Sequence, residues 1–574
     1  MGASAWTWVV VAATFALYAA VAVWAQARFT REYYVADRST PPVLSGMATA
    51  ADWISAASFL SMAGLIAFSG RDGSAYLMGW TGGYVLLAVL LAPYLRKYGK
   101  FTVPQFVGER YYSRGARVLA LLCAVLISFT YVAGQVRGVG VVLSGFLGTS
   151  VEKGILVGMA AVFLYAVLGG MRGATHTQVA QYVVFAVAYL TPAVLISLSL
   201  TGQPVPALGL GAPVSAEGAA ALGVPAGQRL LEVIDRLNVD LGFRPFTAGW
   251  RPRLDVLMTA LALMAGTAGL PHIIVRFFTV PKIRDARASA GWALLFVAVL
   301  YTAVPAMAAF ARATFVAAVH DQPRASAPEW FARWEATGLL SWDDRNGDGR
   351  MQLSARDAEN EVRVDYDIMV LATPEMARLP AWVVGLVAAG ALAAALSTAA
   401  GLLLVIGSAV AHDLGKSTFT PNLSERNELR LARFAVGVAV LLAGAFAMHP
   451  PGSVAQVVAL AFGLAASSFF PALVTGIFWR RATREGAMAG MASGILFTSG
   501  YIAWFRFVRP DLDGPAHWWL GISPEGIGAV GMVLAFAVIV AVSLRTPAPR
   551  PEVQEMVASL RYPRAATGPR RERR

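Results

Sequence analysis

Long apolar runs separated by short basic stretches set the pattern of this chain. Thirteen runs reach roughly twenty residues, the length that a hydrocarbon core of about 30 Å demands of a helix. They cover 5–26, 43–69, 74–95, 116–146, 152–170, 175–200, 252–279, 287–314, 380–411, 431–448, 453–478, 485–505 and 523–544. The pattern predicts an all-α polytopic membrane protein. The first run lacks a basic leader and a small-residue cleavage site, so it reads as a retained helix and not a signal peptide.

Basic residues gather after the odd-numbered runs. Arg28, Arg31 and Arg38 follow the first, and Arg96, Lys97, Lys100, Arg110 and Arg114 follow the third. Arg172 follows the fifth; Lys282, Arg284 and Arg287 the seventh; Lys416, Arg426 and Arg430 the ninth. Arg480, Arg481 and Arg484 follow the eleventh, and Arg550, Arg561 and Arg564 lie in the tail. Cytoplasmic loops carry the excess of Lys and Arg, which predicts the N-terminus outside and the C-terminus inside. The predicted transmembrane domain spans 1–545. Two long extracytoplasmic loops follow, 201–251 with a short helix near 227–238 and 315–379, which is acidic. The tail 546–574 is rich in Pro and Arg and reads as a disordered, membrane-skimming end.

Composition agrees. The chain is 57% hydrophobic and 14% charged, whereas soluble domains are nearer a quarter charged. A net charge of +13 would suggest nucleic acid for a soluble protein. Here it sits in the loops as an orientation signal, so the expected surroundings are membrane lipid, with no nucleic acid. Cys123, the single cysteine, excludes an internal disulfide and reads as a small core hydrophobe.

Two apolar runs are interrupted. Residues 48–70 read ATAADWISAASFLSMAGLIAFSG, with Asp52, Ser55 and Ser58 among small residues. A carboxylate near the bilayer centre costs about 2.5–3.5 kcal/mol and faces a partner, a cavity or an ion. A helix broken near Asp52–Ser55 would free carbonyls able to hold a cation. Asp52 either contacts that cation or caps the half-helix that follows, accepting its orphan amides. The second interruption holds Gly266, Thr267, Gly269, Pro271 and His272. Pro271 removes an amide and predicts a break. Ser397 and Thr398 stand adjacent in an Ala/Leu-rich run, either bonded back to their own helix or facing a cation. Gln135 is expected to reach the same region. Arg137 is expected to snorkel, to pair with Asp52 or to meet a substrate carboxylate.

The acidic loop contains DDRNGDGRMQ at 343–352, the first half of an EF-hand-like calcium loop. Asp344, Asn346, Asp348 and the Arg350 carbonyl are its candidate ligands. Ala355 falls at the twelfth position, so Asp357 or Glu359 would have to close the site. The alternative is an acidic turn held by its own side chains. The chain shows no P-loop, no Cys/His cluster and no nucleophile elbow, so an enzyme is not expected.

Several stretches resemble the sodium:solute symporter family. REYYVADRST resembles the start of that family's first broken helix. GTAGLPHIIVRFFTV (266–280) resembles its acetate and proline branch, AALSTAAGLLLVIGSAVAHDL (394–414) its sodium-site helix, and SERNELRLAR (424–433) the linker that follows. The resemblance implies a leucine-transporter-like fold of two inverted five-helix repeats, about 43–200 and 252–478, in the inner membrane. It implies Na⁺ held by the carbonyls of Ala51, Ile54 and Ala394 and the hydroxyls of Ser397 and Thr398. Substrate or gating residues would be Asp52, Ser55, Ser58, Gln135, Gly269, Pro271 and His272. Sugar carriers of the family have a carboxylate at the position of Ala57 and an amide at Ser58, so a sugar is disfavoured. Gln178 stands where some members have an Asp that assists a second cation, which implies one sodium per cycle. The implied function is sodium-coupled import of a short monocarboxylate such as acetate. The alternatives are a proline-like amino-acid symporter and a transporter-like sensor working with a small two-helix subunit.

Overall fold

The computed structural model describes residues 3–25, 39–98, 102–419 and 422–561. Arg28, Arg31, Arg38, Lys100 and Arg564, and most of REYYVADRST, lie outside the described residues. Helix α1 (Ala3–Trp24) is followed by an interrupted helix, α2 (Pro42–Trp53) and α3 (Met62–Ser69), joined through one π-helical turn at Ala57–Ser61. Then come α4 (Ser74–Leu86), α5 (Arg114–Leu147) and α6 (Val151–Thr201). The second interrupted helix is α7 (Arg253–Gly269) and α8 (Pro271–Arg276). After it follow α9 (Ile283–Tyr301), α10 (Val304–Val319), α11 (Ala381–Ser408) and α12 (Glu425–Met448). The last are α13 (Val454–Phe478), α14 (Arg484–Ala503), α15 (Ile527–Arg545) and α16 (Pro551–Arg561).

Among the described residues, ten helices are long and apolar enough to cross a membrane. Neither α2 nor α7 is among them, because each stops at its break. Helix α11 is the central pillar. From Val387 to Ser408 all its residues are buried, and it packs against α1, α5, α6 and α12. Such all-round burial fits a helix that is apolar on every side. Cys123 is buried on α5, as its surroundings predict.

Three expectations are corrected. Runs five and six form the single 51-residue helix α6, with no loop at Arg172. Run eight divides into α9 and α10 at Thr302–Ala303, because Pro305 in the first turn of α10 cannot donate an amide to the turn before. The tail is ordered in part. Val553, Val557 and Leu560 of α16 are buried against the bundle, and Lys97 Nζ donates to the carbonyls of Ser559 and Leu560.

The loop 201–251 carries three short helices, the third at Leu230–Asp240 near its expected place. Arg312 on α10 donates to Asn238 Oδ1 at 2.8 Å and so anchors that helix. The acidic loop holds two antiparallel pairs of short strands, β1 (Gln322–Pro323) with β3 (Arg350–Met351) and β2 (Leu340–Trp342) with β4 (Val362–Val364). Its Tyr366–Ile368 turn rests on α3: a Cβ added to Gly64 would lie 2.0 Å from the Tyr366 carbonyl oxygen.

Candidate functional site

The break in the first interrupted helix lies at Ile54–Ser55 and can be followed amide by amide. In an unbroken helix the Ser55 amide would bond Ala51 and the Ala56 amide would bond Asp52. Instead Ser55 N–H turns to the Trp53 carbonyl at 3.0 Å, and Ala56 N–H donates to Gln135 Oε1 at 3.0 Å. The carbonyls of Ala51 and Asp52 are thereby released from the helix ladder. Helix α11 meets them with hydroxyls. Ser397 Oγ lies 2.7 Å from Ala51 O and 2.9 Å from Ala394 O. Thr398 Oγ1 lies 2.9 Å from Asp52 O and 3.3 Å from Ala394 O. The adjacent Ser-Thr pair therefore bonds its own helix and the broken one at once. Ala51, Ala394, Ser397 and Thr398 are brought together, and Thr398 also reaches the Asp52 carbonyl, which lies outside the set that the resemblance implies.

The Asp52 side chain does not cap the second half-helix. Its carboxylate is fully buried and pairs with Arg276 at the end of α8. Gln178 Nε2 on α6 donates to it at 2.5 Å and to the Ser397 carbonyl at 2.8 Å. The Arg276 guanidinium also donates to Gln178 Oε1 and, at 2.9 Å, to Thr175 Oγ1. Room for the carboxylate comes from Gly401 on α11, where a Cβ would lie 2.6 Å from Asp52 Oδ1. The capping role falls to Gln135, since the side chain of Asp52 points away from the chain it was expected to cap. Arg137 is corrected likewise. It faces the acidic loop and pairs with Asp365 at 3.5 Å, not with Asp52.

The second break falls at Leu270, between Gly269 and Pro271. His272 packs edge-on against Tyr131, with ring centroids 5.3 Å apart, and its Nδ1 is buried without a hydrogen bond. Ser58 shares a 2.8 Å hydrogen bond with Tyr301 on α9. Gln135 Nε2 and Thr267 Oγ1 are also buried without partners, while Trp53 lies against the Tyr301 hydroxyl and Ser55 against that of Tyr131. Aromatic rings stand around them: Trp53 on Tyr84 and Phe462, and Tyr131 on Phe462, with centroids 5.4–6.5 Å apart. Arg276, Tyr301 and Tyr131 join the site without having been expected there. Arg276 lies within the quoted 266–280 stretch, and its signal was the one Lys, Arg, Asp or Glu charge in that stretch. The closing His-Asp-Leu of the 394–414 stretch is tied down: His412 and Lys416 bond Glu428, and Thr102 donates to Asp413 at 2.9 Å.

In the acidic loop, carboxylate oxygens of Asp344, Asp348 and Glu361 lie within 4.8 Å of one another. The third carboxylate of this group is Glu361, and not Asp357 or Glu359. Glu359 is turned away to Arg356 and Ser354. The turn closes on its own bonds. Asp344 accepts from the amides of Gly347 and Gly349, Asn346 from that of Asp348, and Asp348 from that of Arg350. Gly347 and Gly349 have φ of 76° and 70°, the left-handed backbone such a sharp turn needs.

The sequence matches the sodium:solute symporter family over residues 33–329 and 362–494. It is 36% identical to an uncharacterized symporter of Cupriavidus necator, covering 96% of this chain and 92% of the relative. It is 26% identical to a monocarboxylic acid transporter of Corynebacterium glutamicum, covering 88% and 84%. An uncharacterized symporter of Bacillus subtilis is 28% identical, with 81% and 79% covered. Among solved structures, a substrate-bound, outward-open Na⁺-coupled sialic acid symporter superposes with a TM-score of 0.68 at 15% identity, covering 95% of this chain and 98% of that one. The fold is thus leucine-transporter-like, and the molecule is a multi-pass membrane symporter and not an enzyme. The chain belongs to the sodium:solute symporter family.

Proposed function

We propose that this protein couples the inward movement of Na⁺ to that of a short monocarboxylate. The sodium ion is held by the carbonyls of Ala51, Ile54 and Ala394 and the hydroxyls of Ser397 and Thr398. One observation carries this reading: the break releases main-chain carbonyls where two hydroxyls of α11 already converge. A hard cation wants such uncharged oxygens, and a hydroxyl becomes a ligand by turning its proton aside.

The carboxylate binds beside the break, among the buried groups that lack partners. Gln135 Nε2 can only donate, and Thr267 and His272 can donate as well. A set rich in donors suits an acceptor-only ligand. An amino acid would also need an acceptor for its ammonium group, and the Asp52 carboxylate is already taken by Arg276 and Gln178. The aromatic walls suit a short apolar tail. The relative from Corynebacterium glutamicum, a monocarboxylic acid transporter by name, points the same way.

Sodium raises substrate affinity only by favouring the broken, competent shape of α2–α3. The test is uptake of labelled acetate, propionate and proline into proteoliposomes under an inward sodium gradient. Sodium-dependent uptake of a monocarboxylate, abolished in Ser397→Ala/Thr398→Ala, is expected. Uptake unaffected by sodium removal would overturn the coupling, and uptake of proline alone would overturn the substrate class.

A further inference from the structure

We infer that Arg276 is a fixed internal cation that neutralises Asp52 and so removes the need for a second mobile ion beside the sodium site. The inference rests on the sodium reading above and deepens it by setting how many ions travel.

Asp52 and Arg276 are both buried, with side-chain exposures of 0% and 1%, and they are joined directly. The guanidinium is held on three sides, by Asp52, Gln178 and Thr175. Its planar fork suits such multiple bonding. The pair is placed against the proposed ion site. Asp52 contributes its carbonyl to Thr398 while its carboxylate lies against Gly401, one helical turn further along α11. Gln178 bridges that carboxylate to the Ser397 carbonyl. An ion at Ser397 and Thr398 therefore sits next to a neutral pair and not a bare carboxylate.

Removal of one member of a buried pair leaves an uncompensated charge, which the site must neutralise. Without the guanidinium, the Asp52 carboxylate, the amide oxygen of Gln178 and the Thr175 hydroxyl form an oxygen-rich pocket of charge −1. Sodium is the ion at hand. Arg276→Gln should thus convert a one-sodium protein into a two-sodium protein. In the native chain, one Na⁺ accompanying one monocarboxylate moves no net charge.

Radioactive ²²Na⁺ binding to the purified full chain in nanodiscs, at fixed pH and saturating sodium, reads the first consequence. One sodium per protein is expected for the native chain and Arg276→Lys, two for Arg276→Gln, and one for Asp52→Asn/Arg276→Gln. A folded Arg276→Gln protein that binds one sodium overturns the inference. No sodium bound to the native protein overturns the underlying sodium reading instead. The second measurement needs no variant. With membrane potential clamped by valinomycin and potassium, native uptake of the monocarboxylate should be the same at 0 mV and at an inside-negative potential. Uptake stimulated several-fold by inside-negative potential overturns the inference.

Discussion

Gln135 is the residue whose removal tests most directly why the first helix stays open. Its side-chain oxygen accepts the Ala56 amide, the amide that an unbroken helix would direct to Asp52. Gln135→Leu keeps the size and removes the acceptor. A buried amide left without a partner costs about 1–3 kcal/mol. The chain can recover that energy by returning the amide to the Asp52 carbonyl, which draws this oxygen away from Thr398 and the proposed ion site. If the open shape is the one that binds sodium, its population falls by the same free energy. Each 1.4 kcal/mol is tenfold, so apparent sodium affinity should weaken roughly 5- to 150-fold. Sodium-dependent quenching of tryptophan fluorescence would follow this, since Trp53 closes the first half-helix. Gln135→Glu, which retains an acceptor, should lose much less. Native sodium affinity in a folded Gln135→Leu protein would refute the link between this cap and the ion.

Four further outcomes are expected. Asp52→Ala should destabilise the protein by about 3–5 kcal/mol, because it strands the Arg276 charge in the core, and Asp52→Ala/Arg276→Met should recover much of the loss in thermal unfolding. Tyr301→Phe should raise the KM for substrate and leave sodium affinity nearly unchanged, since the Tyr301 hydroxyl bonds Ser58 and not Ser397 or Thr398; a comparable loss of sodium affinity would contradict this placement. Gly64→Ala should force the Tyr366 turn off α3 and speed proteolysis within 320–379, against an unchanged rate if the loop only rests nearby. Burial, reinforced by Asp365, pushes the Asp367 carboxyl up to about 7. The folded state then holds a proton that the unfolded state releases at lower pH, so stability is greatest below pH 4 for this group and is lost as pH rises toward 7. Asp367→Asn should flatten that slope in thermal unfolding.

The interrupted helices were legible because their signals are local. Asp52 among small residues and Pro271 after Gly269 each mark a break within a few positions, and both breaks lie where these residues place them. The hydroxyls of Ser397 and Thr398 were legible through the resemblance, though which carbonyl each meets depends on how two helices rotate against each other. Partners distant in sequence were not legible. Asp52 could not announce Arg276, 224 positions away, and Arg137 was the arginine expected beside it, whereas the fold turns Arg137 toward Asp365. Glu361 closes the acidic turn from β4 pairing, a register that a linear ligand spacing does not encode. The joining of two apolar runs into α6 defeats any reading that treats a lone arginine as certain punctuation.

Cys123 has a practical consequence. It is the chain's single cysteine, and at 1% exposure it is shielded from bulky maleimides. The native protein therefore already serves as a background for spin labels and fluorophores, with no ancestral thiol to delete. A thiol placed on the exposed Asp348 of the acidic loop and another on the exposed Arg484 at the start of α14 would be the only reactive pair. Distances between such labels, with and without sodium, would record the transport cycle in an otherwise unaltered molecule.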